Sequence, residues 1–124
     1  LPNRKAVFVV DDDPSMLRGV KRLLQEHGFE AVLFDSAEAL RNHEDFDEAF
    51  CIILDINLND GSGIDLRHQL AAASISLPVI YTTGNDNHVT RLAALQSGCI
   101  AYLTKPFPAK SLIEPIKLAL ARAA

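Results

Sequence analysis

Cys51-Ile52-Ile53-Leu54-Asp55-Ile56-Asn57 decides the fold. A continuous apolar run meets one carboxylate, and the loop formers Asn59-Asp60-Gly61-Ser62-Gly63 follow. A short apolar run bounded by turn residues reads as a strand buried on both faces, the kind found in parallel sheets. Asp55 then stands at or near the strand's carboxyl end, the edge on which open α/β sheets carry their chemistry. A lone aspartate there would be read as a loop cap, so the rest of the chain must decide its role.

Working outward, the same pattern recurs. Ala6–Val10 is a first apolar strand, ending at Asp11-Asp12-Asp13-Pro14. Asp13 suits the cap of the next helix, with Pro14 at its first position. Asp11 and Asp12 are left over, and a divalent cation would relieve the repulsion between such neighbouring acids. Met16, Val20, Leu23, Leu24 and His27 recur at helical spacing and stop at Gly28. Phe29–Phe34 reads as a second strand, Ser36 as the cap of a short helix through Arg41, and residues 42–48 as a polar connection.

Beyond Asp55, Ser62 or Gly63 opens a third helix, with Asp65 three residues after Ser62 as in a capping box. Pro78–Thr83 is a fourth strand ending in two hydroxyls, Thr82 and Thr83, before Gly84 and the polar loop Asn85-Asp86-Asn87. Val89, Leu92, Ala93 and Gln96 space a fourth helix that Gly98 stops. Ile100–Thr104 is a fifth strand leading into Lys105-Pro106-Phe107, and Leu112, Ile113, Ile116 and Leu120 mark a last helix. Pro115 lies inside that helix. An interior proline loses a backbone bond and clashes with the preceding turn, costing ~3 kcal/mol, so a kink or a later helix start is expected.

The 124 residues suit one domain, taken as 1–124. A net charge of −4 argues against a nucleic-acid surface, which needs a basic stripe. With no apolar run of spanning length and no signal peptide, a cytoplasmic protein is the expectation. Leu at position 1 suggests a processed or excised chain. Cys51 and Cys99 have no metal or redox spacing and read as buried small residues. His27, His43, His68 and His88 have no ligand spacing and are expected on the surface.

Strands and helices alternate five times with short connections, which demands a parallel sheet covered by helices on both faces. All strand ends then share one edge. Asp11 and Asp12, Asp55, Thr82 and Thr83, and Lys105 meet there. Mg²⁺ prefers oxygen ligands and takes one or two carboxylates together with phosphate oxygens. Carboxylates form acyl phosphates, and positioning with charge stabilisation supplies most of the catalysis of phosphoryl transfer. Lys105 can hold a phosphoryl oxygen as a point charge, and a Thr hydroxyl can donate to another. Asp55 is the candidate nucleophile.

The chain resembles the receiver domains of two-component response regulators over essentially its whole length. The marks are Val9-Val10-Asp11-Asp12, Leu54-Asp55-Ile56-Asn57, Thr83-Gly84 and Tyr102-Leu103-Thr104-Lys105-Pro106-Phe107. The resemblance implies a flavodoxin-like (βα)5 fold of strand order 2-1-3-4-5, with Asp55 as the phosphorylated aspartate. It implies that Asp12, Asp55 and the Asn57 main-chain carbonyl bind Mg²⁺, with Mn²⁺ as a substitute, and that Asp11 holds a metal-bound water. It makes Thr83 the switch hydroxyl, Tyr102 the aromatic that follows it, and Lys105 the phosphate-binding lysine, joined to Pro106 by a cis bond. The donor would be a histidine kinase or phosphotransfer protein. The output would be a changed surface on helix 4, strand 5 and helix 5, read by an effector domain or protein or by a second copy.

Such a domain catalyses only its own phosphorylation and dephosphorylation and binds neither nucleic acid nor membrane. Many relatives carry proline where this chain has Asn59, for which a slightly looser turn and unchanged chemistry are expected. Pro115 falls on the output surface and counts against a standard helix 5 dimer. Neutral Asn57 and Asn85 leave room for an attacking water, hence a short-lived phosphoryl state. Two rivals are a haloacid-dehalogenase-type phosphatase using Asp11 as nucleophile, and a degenerate receiver that only binds. The first needs a cap domain that is not apparent and has Ser15 where its motif has Thr or Val. The complete set Asp11, Asp12, Asp55, Thr83 and Lys105 opposes the second.

Overall fold

A computed structural model describes residues 6–123. In chain order it contains β1 (Ala6–Val10), α1 (Pro14–Glu26), β2 (Glu30–Phe34), α2 (Ala37–Arg41) and β3 (Ala49–Asp55). There follow α3 (Gly63–Ala72), β4 (Val79–Thr83), α4 (His88–Gln96), β5 (Ala101–Thr104) and α5 (Ala109–Ala123). Asn57–Leu58 and Gly61–Ser62 form a small antiparallel pair in the loop after β3. The five long strands make one parallel sheet in the order β2-β1-β3-β4-β5, as the alternation requires.

Side-chain alternation along the strands divides the core in two. Phe8, Val10, Ile52, Leu54, Val79 and Tyr81 face α2, α3 and α4, packing with Leu40, Leu66 and Ala94. Val7, Val9, Cys51, Ile53 and Ile80 face α1 and α5, packing with Leu24, Leu112 and Ile116. Every residue of β3 is buried, starting two positions before the apolar run at Cys51. Each large apolar side chain buried in this way contributes about 1.5–3 kcal/mol. Burial pushes the Cys51 thiol up to about 12, which leaves it protonated and inert.

The caps follow the sequence with one change. Asp13 accepts the Ser15 N–H ahead of Pro14, and Ser36 accepts the Ala39 N–H. Ser62 caps α3 through the Ile64 N–H, one residue short of the capping-box partner expected at Asp65. Gly28 and Gly98, which end α1 and α4, both sit at φ 82°, the conformation a helix stop needs and glycine reaches without strain. α5 begins at Ala109 and runs unbroken across Pro115, so the helix does not start late.

Two expectations are corrected. His43 is half-buried rather than superficial. Its ring packs edge-on against Phe8, Phe34 and Phe46 while bonding Glu48 at 2.9 Å, an aromatic role that ligand spacing cannot reveal. Cys99 is only half-buried, because the turn after α4 lies near the surface. In α4 two of the residues whose spacing marks the helix, Val89 and Leu92, are exposed, at 77% and 47%. Only Ala94 of that helix is buried, with Ala93 half-buried against the core, so Val89 and Leu92 mark an outer face. Among the described residues, no helix is long and apolar enough to cross a membrane.

Candidate functional site

Strand register assembles the site. β1 pairs with β3 through Val9↔Ile53 and Val10↔Leu54. Continuing that register by one residue sets Asp11 beside Asp55, on the face that Val9 and Ile53 share. On the other side Asp55 pairs with Thr82, and Thr83 follows. β5 ends at Thr104, paired with Thr83, and delivers Lys105 to the same edge.

Asp11 and Asp55 are each only 3% exposed. Lys105 Nζ bridges them, donating to Asp11 Oδ2 at 2.9 Å and to Asp55 Oδ2 at 3.2 Å. The second oxygen of each carboxylate is taken by main chain. Asp13 N–H donates to Asp11 Oδ1 at 2.9 Å, and Asn57 N–H to Asp55 Oδ1 at 3.0 Å. Asp12, half-buried, accepts the Asn59 N–H on Oδ2 at 2.8 Å. One carboxylate oxygen from each of Asp11, Asp12 and Asp55 lies within 4.8 Å of the other two.

Burial raises the Asp55 carboxyl above its ordinary range, and the charge of Asp11 adds to the rise. The Asn57 N–H and the Lys105 ammonium oppose both without cancelling them. Burial alone would lower Lys105, but its bond to Asp11 and the charges of both carboxylates outweigh that and raise it. The ammonium therefore stays charged between its two acids.

Thr83, fully buried, gives its hydroxyl proton to Asn57 Oδ1 at 2.8 Å and accepts the Asn85 N–H at 3.0 Å. Tyr102 lies apart from this group. Its hydroxyl donates to Asp86 Oδ1 at 2.9 Å, and Arg91 holds Asp86 Oδ2 at 2.7 Å with its guanidinium 4.9 Å from the Tyr102 ring centre. The Lys105–Pro106 peptide is cis. So Asp11, Asp12, Asp55, Asn57, Thr83 and Lys105 come together, and Tyr102 stands on the adjoining surface.

Sequence reasoning missed four contributors. Gly63 packs against the Asp55 main chain, where a side-chain carbon would overlap the carbonyl oxygen of Asp55. Asp60 bonds two amides of α2, and Asp86 and Arg91 fix Tyr102. Each acts through contacts between segments distant in sequence or across a loop, and residue spacing carries no signal of them.

A family model described as the response regulator receiver domain matches residues 7–117. Nodulation protein W of Bradyrhizobium diazoefficiens is 34% identical over 116 residues, covering 94% of this chain and 51% of that protein. Sensory transduction protein RegX3 of Mycobacterium tuberculosis is 35% identical over 117 residues, covering 94% and 51%. The chain thus spans about half the length of these curated relatives. The crystal structure of a CheY-like receiver domain protein from Methanospirillum hungatei superposes with a TM-score of 0.85 at 27% identity, covering 95% of this chain and 94% of that one. With a matching family model over most of its length and the same strand order, the chain belongs to the receiver domains of two-component response regulators.

Proposed function

We propose that Asp55 accepts a phosphoryl group from a phosphohistidine on a kinase or phosphotransfer protein, and that the domain signals by the rearrangement this causes. The observation that carries the reading is Lys105 Nζ lying between Asp11 and Asp55, within hydrogen-bond reach of both. A carboxylate oxygen of Asp55 attacks phosphorus, the P–N bond to the donor imidazole breaks, and the imidazole leaves with its electron pair and takes a proton from solvent. Lys105 moves from Asp55 Oδ2 to a phosphoryl oxygen and remains tied to Asp11. The Asn57 N–H stays within reach of the acyl end and holds it in orientation.

The cluster fits Mg²⁺ or Mn²⁺: the donors are all oxygen, three carboxylates converge, and one ammonium is too little to neutralise them. Asp12, Asp55 and the Asn57 main-chain carbonyl would hold the ion, with Asp11 binding one of its waters. When bound, the ion neutralises the carboxylates and the incoming phosphoryl oxygens.

Two surfaces support the partners. Beside Lys105, an open groove of about 520 Å³ lined by Met16, Gly19, Val20, Leu23 and Phe107 offers an apolar seat for the phosphodonor protein next to the nucleophile. On the other side α4 exposes Val89, Leu92 and Leu95, which suits contact with an effector or a second copy once Thr83 and Tyr102 have moved.

Incubation with a small acyl phosphate and Mg²⁺, followed by intact mass measurement, tests the reading. One phosphoryl group should add to the wild type and to Asp11→Asn at a reduced rate, and none to Asp55→Asn. An adduct that persists in Asp55→Asn and vanishes in Asp11→Asn would transfer the nucleophile's role to Asp11.

A further inference from the structure

The loop between Asp55 and α3 is fastened at two adjacent residues. Asn59 donates its main-chain N–H to Asp12 Oδ2 at 2.8 Å, joining positions 47 residues apart. Asp60 accepts the Ala37 N–H on Oδ1 and the Glu38 N–H on Oδ2, each at 3.0 Å. Those two amides open α2 and lack partners within their own helix. The loop cannot swing away from Asp12 without breaking both charge-assisted bonds of Asp60.

Of the three clustered acids, Asp12 has the fewest restraints. Asp11 and Asp55 are buried and bonded on both oxygens. Asp12 is half-buried, and the Asn59 N–H is the one hydrogen bond its carboxylate accepts among the described residues. With Oδ2 held, Oδ1 has a fixed direction; with Oδ2 released, the carboxylate is free to turn toward solvent.

We propose that the Asn59 main-chain N–H, anchored by Asp60, is a positioning group that aims the Asp12 carboxylate into the cluster and so sets the affinity for a divalent cation. This rests on the cation-binding reading above. Two effects compete. The N–H draws electron density from Oδ2, which weakens a cation bond, while fixing the carboxylate spares the cost of ordering it. Loss of such outer hydrogen bonds to metal ligands lowers metal affinity by about 10–100-fold, so orientation prevails. The donor is main chain, so every residue at position 59 supplies it except proline, which has no N–H; the unchanged chemistry expected of Asn59 in place of the proline of many relatives therefore gives way to a difference in cation affinity in this chain. Asn59 is not among the residues with positive φ, so its backbone conformation does not exclude the proline ring for that reason.

Calorimetric titration with MgCl₂ alone tests the inference on the wild type, Asp12→Ala, Asn59→Pro, Asn59→Ala and Asp60→Ala. Asn59→Pro and Asp60→Ala should bind about tenfold more weakly than the wild type, and Asn59→Ala, which restores the N–H, should recover the affinity. The Asn59 amide resonance should also move in Asp12→Ala, and circular dichroism checks folding. If Asn59→Pro does not fold, Asp60→Ala, which keeps every backbone donor, decides. Wild-type affinity in Asp60→Ala and in folded Asn59→Pro, with binding lost in Asp12→Ala, would overturn the positioning role and leave the cation site standing. Absence of Mg²⁺ binding in the wild type would instead remove the cation reading itself.

Discussion

Thr83 spends its only hydroxyl proton on Asn57 Oδ1, 2.8 Å away, while Asn57 donates its own N–H to Asp55 Oδ1 at 3.0 Å. A threonine hydroxyl has a single proton to give. Thr83 therefore cannot donate to a phosphoryl oxygen on Asp55 until it leaves Asn57. The proposed switch is thus an exchange of acceptors, and Asn57 competes with the phosphoryl group for the same donor.

Asn57→Ala separates these roles, because it removes Oδ1 and keeps the main-chain N–H on Asp55. The lost hydrogen bond should lower stability by about 1 kcal/mol in urea titrations. Beryllofluoride, a mimic of the phosphoryl group, should bind about fivefold more tightly, the equivalent of one hydrogen bond no longer broken on activation. Weaker binding by the variant would show that Asn57 assists the phosphorylated state instead of opposing it.

The surroundings of Asp55 disfavour its anion. Burial first, and then the Asp11 charge, raise its carboxyl, and the Asn57 N–H and Lys105 compensate only in part. A neutral group of the same shape should relieve that strain, as substitutions at functional sites often do. Asp55→Asn should therefore take up no phosphoryl group and melt a few degrees higher in Mg²⁺-free buffer. A lower melting temperature would mean that the Lys105 ion pair outweighs the desolvation and repulsion.

The fold and the carboxylate at the end of its central strand were both legible because each is written in contiguous sequence. The apolar run into Asp55 and the alternation of strand and helix signals specify a parallel sheet, and that sheet gathers the strand ends by itself. What was not legible depends on long-range contacts or on local exposure. The spacing of Val89, Leu92 and Ala93 gives the period of α4 correctly, but period alone does not say which side of a helix meets the sheet. His43 has no ligand spacing, yet Phe8 and Phe34 from distant strands and nearby Phe46 pack edge-on against it. The Asn57 side chain's hold on Thr83 joins residues 26 apart and leaves no pattern in either segment.

Gly63 should prove as demanding as any charged residue of the site. It opens α3, donates its N–H to the Ile56 carbonyl at 2.9 Å, and has the Asp55 main chain against its Cα. A methyl group there would meet the carbonyl oxygen of Asp55, its carbonyl carbon at 3.0 Å and Ile56 Cα at 3.1 Å. These are backbone atoms that cannot rotate aside. Gly63→Ala should cost about 1–3 kcal/mol, the range for overpacking, and slow phosphoryl uptake by displacing Asp55. Chemical denaturation and the mass assay check the two effects, and unchanged stability would show that α3 can slide outward freely.

Tyr102 is restrained on the surface by a carboxylate whose state depends on pH. Arg91 and the Tyr102 hydroxyl both bond Asp86 and hold its carboxyl below the ordinary range. A depressed carboxyl contributes its interaction fully above the ordinary aspartate value near ~4, and loses it as pH falls through the lower folded value. The restraint is therefore complete at neutral pH and releases only in acid, which the Tyr102 ring resonances should report with a midpoint below that of a free aspartate. Asp86→Ala should release it at every pH. Because the group is exposed, the melting temperature should hardly change. The freed ring should turn inward more readily once Thr83 moves, and beryllofluoride should bind more tightly than to the wild type. Equal affinity in the two proteins would mean that Arg91 and Asp86 merely decorate a ring already held by its packing.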